Sequence, residues 1–133
     1  MILLDTSFLI DLLRQRKNAV DKAVELVNRD KLATTYINIY ELLIGIYSKK
    51  DANYEEMLKT IENLTEKIDL LTLEKASTIK SAKIGGELIL KGQIIGDTDN
   101  MIAGIALSSG INIVVTRDKE HFERIKGIKV ESY

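Results

Sequence analysis

Four acidic residues, Asp5, Glu41, Asp99 and Asp118, are the side chains of this sequence whose placement could do chemistry. Asp5 closes the apolar run Ile2-Leu3-Leu4 and leads into Thr6-Ser7. Asp118 follows Val115-Thr116 through Arg117, and Asp97-Thr98-Asp99 stands just before an apolar stretch that stops at Gly110. If the apolar runs are parallel strands and the stretches between them helices, these acids fall at one edge of the sheet. That edge, outside the carboxyl ends of the strands, is where ligands collect in open α/β sheets. Asp and Thr are also favoured helix N-caps, and acids in a first turn complement the helix dipole, so capping alone accounts for any one of them. Three at one edge weaken that account, because a cap needs a single oxygen and is indifferent to the end of the sheet it occupies.

Glu41 is the more telling acid. It stands in Ile37–Tyr47, a segment apolar almost all round, where Asn38, Glu41 and Gly45 recur at i, i+3 and i+7 as one narrow polar or small stripe. A carboxylate on such a helix either points to solvent through a gap in the packing or, with Asn38, looks into a polar site that meets its desolvation cost. Asp5, Glu41, Asp99 and Asp118 gathered in one cleft would repel one another and need hard divalent cations. Oxygen ligands suit Mg²⁺ or Mn²⁺, and a chain with no cysteine and one histidine argues against zinc. A pair of such ions about 4 Å apart hydrolyses phosphodiesters without a protein nucleophile.

The elements that must position these acids follow from the hydropathy pattern. Short apolar runs at Ile2–Leu4, Leu32–Thr35, Ile68–Leu73, Ile111–Thr116 and Ile128–Val130 read as strands. Between them, helical spacing predicts helices over Phe8–Leu13, Ala19–Asn28, Ile37–Tyr47, Tyr54–Lys67, Lys75–Leu90, Asp97–Ser109 and Lys119–Arg124. In the second of these, Val20, Ala23, Val24 and Val27 form the expected apolar stripe. Gly92 and Gly110 are expected helix stops. Strands alternating with helices imply a parallel sheet covered on both faces.

Composition sets the outer bounds. With 133 residues, 45% hydrophobic and 29% charged, the chain suits a single globular domain over residues 1–133, with no repeat or linker. The absence of cysteine excludes disulfides, iron–sulfur clusters and thiolate nucleophiles. Twenty acids against 19 bases give no global electrostatic argument for a nucleic-acid partner, although a local patch can hide in a balanced total. No segment is apolar enough to span a bilayer, and the N-terminus lacks the features of a signal peptide, so a cytoplasmic protein with no membrane partner is expected.

The sequence resembles the PIN-domain family in its VapC-type toxin ribonuclease branch. The resemblance rests on Leu4-Asp5-Thr6-Ser7, on Glu41-Leu42-Leu43-Ile44-Gly45, on Asp99-Asn100-Met101-Ile102-Ala103-Gly104-Ile105-Ala106, and on Val115-Thr116-Arg117-Asp118 with Phe122 after it. It runs the length of the chain in family order. It implies a three-layer α/β/α sandwich with a central, mostly parallel sheet and a Mg²⁺- or Mn²⁺-dependent endoribonuclease. It also implies homodimerisation and inhibition by a VapB-type antitoxin. Asp5, Glu41 and Asp99 resemble the central metal-binding acids and Asp118 a fourth, more variable one. Thr6, Ser7 and Thr116 stand where hydroxyls orient acids, Asn38 is placed to support Glu41, and Asp97 is left as a cap or supporting acid. Gly104 stands where a small Ala is commoner, a mild departure that keeps the helix packing close.

Other residues carry weaker expectations. Arg14 and Arg117 are the best candidates to touch substrate phosphate, although cations after the first helix also complement its dipole. His121 is expected at the surface or partly packed, outside the chemistry. The Ile37–Tyr47 helix has more apolar surface than one core-facing stripe requires, which points to a homodimer contact or an antitoxin groove. A PIN-type nuclease of RNA processing or structured-DNA trimming is the alternative within the same chemistry. A phosphoacceptor receiver would need an acid after the third strand, where Leu71-Thr72-Leu73 stands, and a haloacid-dehalogenase-type phosphatase would need an acid at Ser7.

Overall fold

A computed structural model describes residues 1–133. The chain alternates strands β1 (Ile2–Leu4), β2 (Leu32–Thr35), β3 (Asp69–Leu71), β4 (Ile113–Val115) and β5 (Lys129–Glu131) with seven helices. The helices are α1 (Thr6–Leu13), α2 (Lys17–Val27), α3 (Tyr36–Tyr47), α4 (Tyr54–Thr65), α5 (Lys75–Leu90), α6 (Asp97–Ser108) and α7 (Lys119–Glu123). All strand pairs are parallel, in the order β3-β2-β1-β4-β5. The first crossovers build outward from β1 through β2 to β3, and the chain then returns to place β4 on the other side of β1. The order therefore reverses between β1 and β4, and a crevice opens at their carboxyl ends.

Alternation along the central strands splits the interior into two layers. Ile2 and Leu4 of β1 and Val115 of β4 pack with Phe8, Leu9, Leu26, Leu42 and Ile61 beneath α1–α4. Leu3 and Val114 face the opposite way, onto Ile84, Leu88, Ile102, Ala103, Ala106 and Phe122 beneath α5–α7. The result is the expected three-layer sandwich, with β1 buried from end to end. Each fully buried Leu, Ile or Phe contributes roughly 1.5–3 kcal/mol.

Three details differ from the sequence expectation. Helix α1 begins at Thr6 rather than Phe8, because Asp5 already occupies the extended N-cap position with φ −79° and ψ 161°. Helix α2 turns Val20, Val24 and Val27 outward and buries Ala19 and Leu26 instead. The small Ala19 lets this helix approach α1, and one leucine fills the space the valine stripe was expected to fill. Gly104 is no mild departure: a Cβ there would sit 2.0 Å from Ser81 Oγ, 2.7 Å from Ser81 N and 2.8 Å from Ser77 O. Helices α5 and α6 are in backbone contact at this point, which only glycine permits. Gly92 and Gly110 end α5 and α6 at φ +67° and +75°, as helix stops do. No helix is long and apolar enough to cross a membrane.

Candidate active site

The crevice between β1 and β4 is built on Asp5. Its N–H donates to Val115 O at 3.0 Å, which carries the β1–β4 ladder one residue past the strand and holds the side chain at the sheet edge. Asp5 is 7% exposed. Its Oδ2 accepts from Thr116 Oγ1 at 2.8 Å and from Ser7 Oγ at 3.1 Å, and its Oδ1 accepts from Asn38 Nδ2 at 3.2 Å. Thr116 Oγ1 in turn accepts from the Asp118 N–H at 3.0 Å, and Ser7 Oγ accepts from the Arg117 N–H at 3.0 Å. The two hydroxyls thus tie the loop after β4 to the start of α1.

Asn38 enters this network through the capping box that opens α3. Its N–H donates to Thr35 Oγ1, and its Oδ1 accepts from the Thr35 N–H, each at 3.1 Å. With the carbonyl oxygen occupied by Thr35, the amide group has one orientation open to it. The NH₂ is directed to Asp5 and, at 3.0 Å, to Thr6 Oγ1, which donates to Glu41 Oε1 at 2.8 Å. One turn of helix thereby places Asn38 and Glu41 on the same side, as their spacing predicts.

The opposite wall comes from α6 and α7. Asp99 Oδ2 lies 2.7 Å from His121 Nδ1. Asp97 is exposed at the start of α6, and Asp118 is exposed at the N-cap of α7, with no side-chain cap bond. Burial raises the pKa of Asp5 above the ordinary carboxylate value, the hydrogen bonds from Thr116 and Ser7 offset part of this, and the Asp99 charge adds to it. Burial also raises Glu41, with the charges of Asp5 and Asp99 pushing the same way. The three acids therefore feel one another across the crevice, and neither Asp5 nor Glu41 has a cationic partner. In this arrangement no three acidic or imidazole side chains close into a ligand cluster; Thr6 holds one oxygen of Glu41 and His121 one oxygen of Asp99. The donor chemistry itself, mutually repelling carboxylate oxygens with hydroxyl and amide supports, is that of a hard-cation site.

Two arginines separate here. Arg117 Nη1 donates to both oxygens of Asp11, at 3.0 and 2.9 Å, so its guanidinium serves the fold before it serves any phosphate. Arg14 lines an apolar groove of about 340 Å³ between α1, α3 and α4, with Glu41 at one side and Gly45 leaving the space open. Asp11 was not singled out by its sequence. Asp11 is 2% exposed and bound by Arg117, Arg16 and Tyr133 Oη. An acid inside the apolar run Phe8–Leu13 carries the same signal that singled out Glu41. His121 is partly packed, as expected; what the sequence did not show is its contact with Asp99, for which the one signal was its place three residues after Asp118 on a helix leaving the same edge.

A doubly covered parallel sheet with carboxylates converging at its switch point defines a class of acid-site α/β/α sandwiches. Within that class the chain belongs to the PIN domain family, whose model matches residues 2–128. It is 31% identical over 131 residues to the tRNA(fMet)-specific endonuclease VapC of Shigella flexneri, covering 98% of this chain and 96% of that one. It is 29% identical over 132 residues to Ribonuclease VapC1 of Haemophilus influenzae strain R2866, with the same coverage of 98% and 96%. Among solved structures, it superposes on a chain of the DNA-bound VapBC from Salmonella typhimurium with a TM-score of 0.85 at 30% identity, covering 99% of this chain and 98% of that one.

Proposed function

We propose that this protein is a VapC-type ribonuclease that hydrolyses RNA phosphodiester bonds at the acid edge of its sheet and is held in check by a VapB-type antitoxin. The observation that carries this reading is the placement of Asp5, Glu41 and Asp99 around the switch point, Asp5 buried and Glu41 half-buried, with no cation facing either. The similarity over almost the whole chain to proteins named as endonucleases and ribonucleases, and to a chain of a VapBC complex, supports the same reading.

The donors suit Mg²⁺ or Mn²⁺ held by Asp5, Glu41 and Asp99, with Asp118 at the rim. A bound ion of this kind supplies a more acidic water and charge stabilisation on the phosphate. The chain's own groups hold the site in shape. Asn38 fixes Asp5 directly and Glu41 through Thr6, so one amide positions two carboxylates. Thr116 and Ser7 hold Asp5 Oδ2, and Asn38 holds Oδ1, so the carboxylate is fixed at both oxygens. His121 holds Asp99 on the facing wall. Asp97, two residues earlier and exposed, is left to the helix dipole.

The test compares wild type with Asp99→Asn on RNA in Mn²⁺, in Mg²⁺ and in EDTA. Substitution and chelation are each expected to reduce cleavage at least about a hundredfold. Cleavage that survives both overturns the carboxylate–metal site. Expression with and without a VapB-type antitoxin tests the toxin role, with growth arrest expected only in its absence.

A further inference from the structure

On the side of the molecule away from the α1–α3–α4 groove, a cleft of about 450 Å³ runs between α5 and the α7–β5 connection. Its lining includes Lys80, Lys83, Lys91, Arg124 and Lys126 against one acid, Glu87. The α5 residues among them recur on one face of that helix, and Lys80 to Lys91 spans about 16 Å at 1.5 Å per residue. None of the four lysines takes part in an ion pair. The contrast with α2 is direct, because Lys22 and Arg29 of that region are both committed to Glu25 and to Glu131 of β5. Arg124 is paired with Glu120 at 3.0 Å, so a protein with a net charge of −1 leaves four lysines without an acidic partner in one concave place.

The cleft shares a wall with the candidate active site. Helix α7 presents His121 to Asp99, and three residues later Arg124 lines the cleft. Arg124 Nη1 also donates to Ile94 O at 3.1 Å, on the segment that delivers Asp97 and Asp99. Lys91 ends α5 at the start of that same segment. The cleft and the acid edge thus meet at α7 and at the segment between Lys91 and Asp97.

We propose that this cleft seats the sugar–phosphate backbone of the RNA strand running away from the cleaved bond. The proposal rests on the ribonuclease reading of the acid edge and adds to it a second, separate surface. The lining holds no aromatic side chain, so bases have nothing to stack on and the contacts go to phosphates. The cleft accordingly supplies affinity and direction to the strand and leaves sequence choice to other surfaces. It also reconciles a near-neutral protein with a nucleic-acid substrate, since counterion release depends on local phosphate contacts and not on net charge.

The experiment measures binding of poly(U) to the full chain carrying Asp99→Asn, which prevents cleavage, as a function of salt concentration. Each lysine–phosphate contact contributes about 0.7 to the salt slope on a single strand. Adding Lys80→Ala, Lys83→Ala and Lys126→Ala together is expected to lower the slope by about 2 and to weaken binding roughly tenfold or more. All three lysines are exposed, and a thermal melt checks that the variant folds. Glu87→Lys, tested separately, is expected to tighten binding. Unchanged affinity and slope in the triple variant overturn the proposal, as does a loss confined to phosphatidylserine vesicles with poly(U) binding intact. The two readings fail separately. A wild-type protein that cleaves RNA while the triple variant binds normally overturns the cleft alone. A wild type that cleaves no RNA, with the slope lost as expected, overturns the reading of the acid edge and supports the cleft as an RNA seat.

Discussion

Asp5 and Glu41 destabilise the ion-free protein in proportion to their charge. Burial and neighbouring negative charge raise both pKa values, so the folded protein holds protons more tightly than the unfolded chain. Ion-free stability is then fully favoured below the ordinary carboxylate range and falls as pH rises through the folded pKa values. Glu41→Gln removes one of these charges while keeping an acceptor for Thr6. It is expected to raise Tm by a few degrees in EDTA at neutral pH, to abolish cleavage, and to shrink the Tm gain that Mn²⁺ gives wild type. A lower Tm for Glu41→Gln in EDTA overturns the repulsion account. Asn38→Ala acts in the opposite direction. It removes half of a capping box and the donors to Asp5 and Thr6, at an expected cost of about 2 kcal/mol by denaturant unfolding. Both residues were legible in the sequence because a polar group on an apolar helix is conspicuous. The partners of Asp11 were not, since Arg117 and Tyr133 lie 106 and 122 residues away along the chain.

Helices α5 and α6 show what periodicity conveys and what it leaves out. Their extents are readable from Lys75 to Leu90 and from Asp97 to the stop at Gly110, and the alternation of strands with helices gives the layer order. Their separation is not readable, because it depends on which residue of one helix meets which residue of the other. At Gly104 that meeting is backbone to backbone. Gly104→Ala is expected to cost about 3 kcal/mol as α6 is pushed away from α5, measured by chemical denaturation. Adding Ser81→Ala removes only the hydroxyl at 2.0 Å and leaves Ser81 N at 2.7 Å and Ser77 O at 2.8 Å from the new methyl. The double variant is therefore expected to remain destabilised, and full rescue would show that the hydroxyl alone sets the helix spacing. Because α6 carries Asp99, a displaced α6 also moves one wall of the site, so cleavage is expected to fall before the fold is lost. Helix α2 makes the same point in reverse. Its outward valines could not be told from its inward Ala19 and Leu26 by hydrophobicity alone, since either stripe satisfies helical spacing.

Across the whole molecule, the surface divides by chemistry: acids at the switch point, unpaired lysines in the α5–α7 cleft, and an apolar band on α3. Tyr36, Tyr40, Ile44 and Tyr47 are 53%, 57%, 50% and 55% exposed, a continuous stripe at i, i+4, i+8 and i+11. The opposite side of the same helix buries Asn38, Leu42 and Ile46. Helix α3 therefore has two faces with different tasks, one holding Asn38 at the site and the other largely exposed, with only Tyr47 of the stripe packed on another ring, that of Tyr54 at 5.3 Å. Aromatic side chains exposed in this number on one helix are the composition of an interface centre. Tyr40→Glu places a charge in the middle of the stripe without touching the core, so the variant is expected to keep the wild-type Tm. If the stripe meets a second copy or the antitoxin, the substitution leaves a carboxylate to be desolvated and removes an aromatic anchor. Binding is then expected to weaken roughly thirtyfold or more, corresponding to about 2 kcal/mol. Light scattering across a concentration series reads the dimer, and titration with the antitoxin reads the heterologous contact. A wild-type protein that stays monomeric at high concentration, together with unchanged antitoxin affinity in Tyr40→Glu, would leave the band as surface alone. Loss of one contact with retention of the other would assign α3 to a single partner.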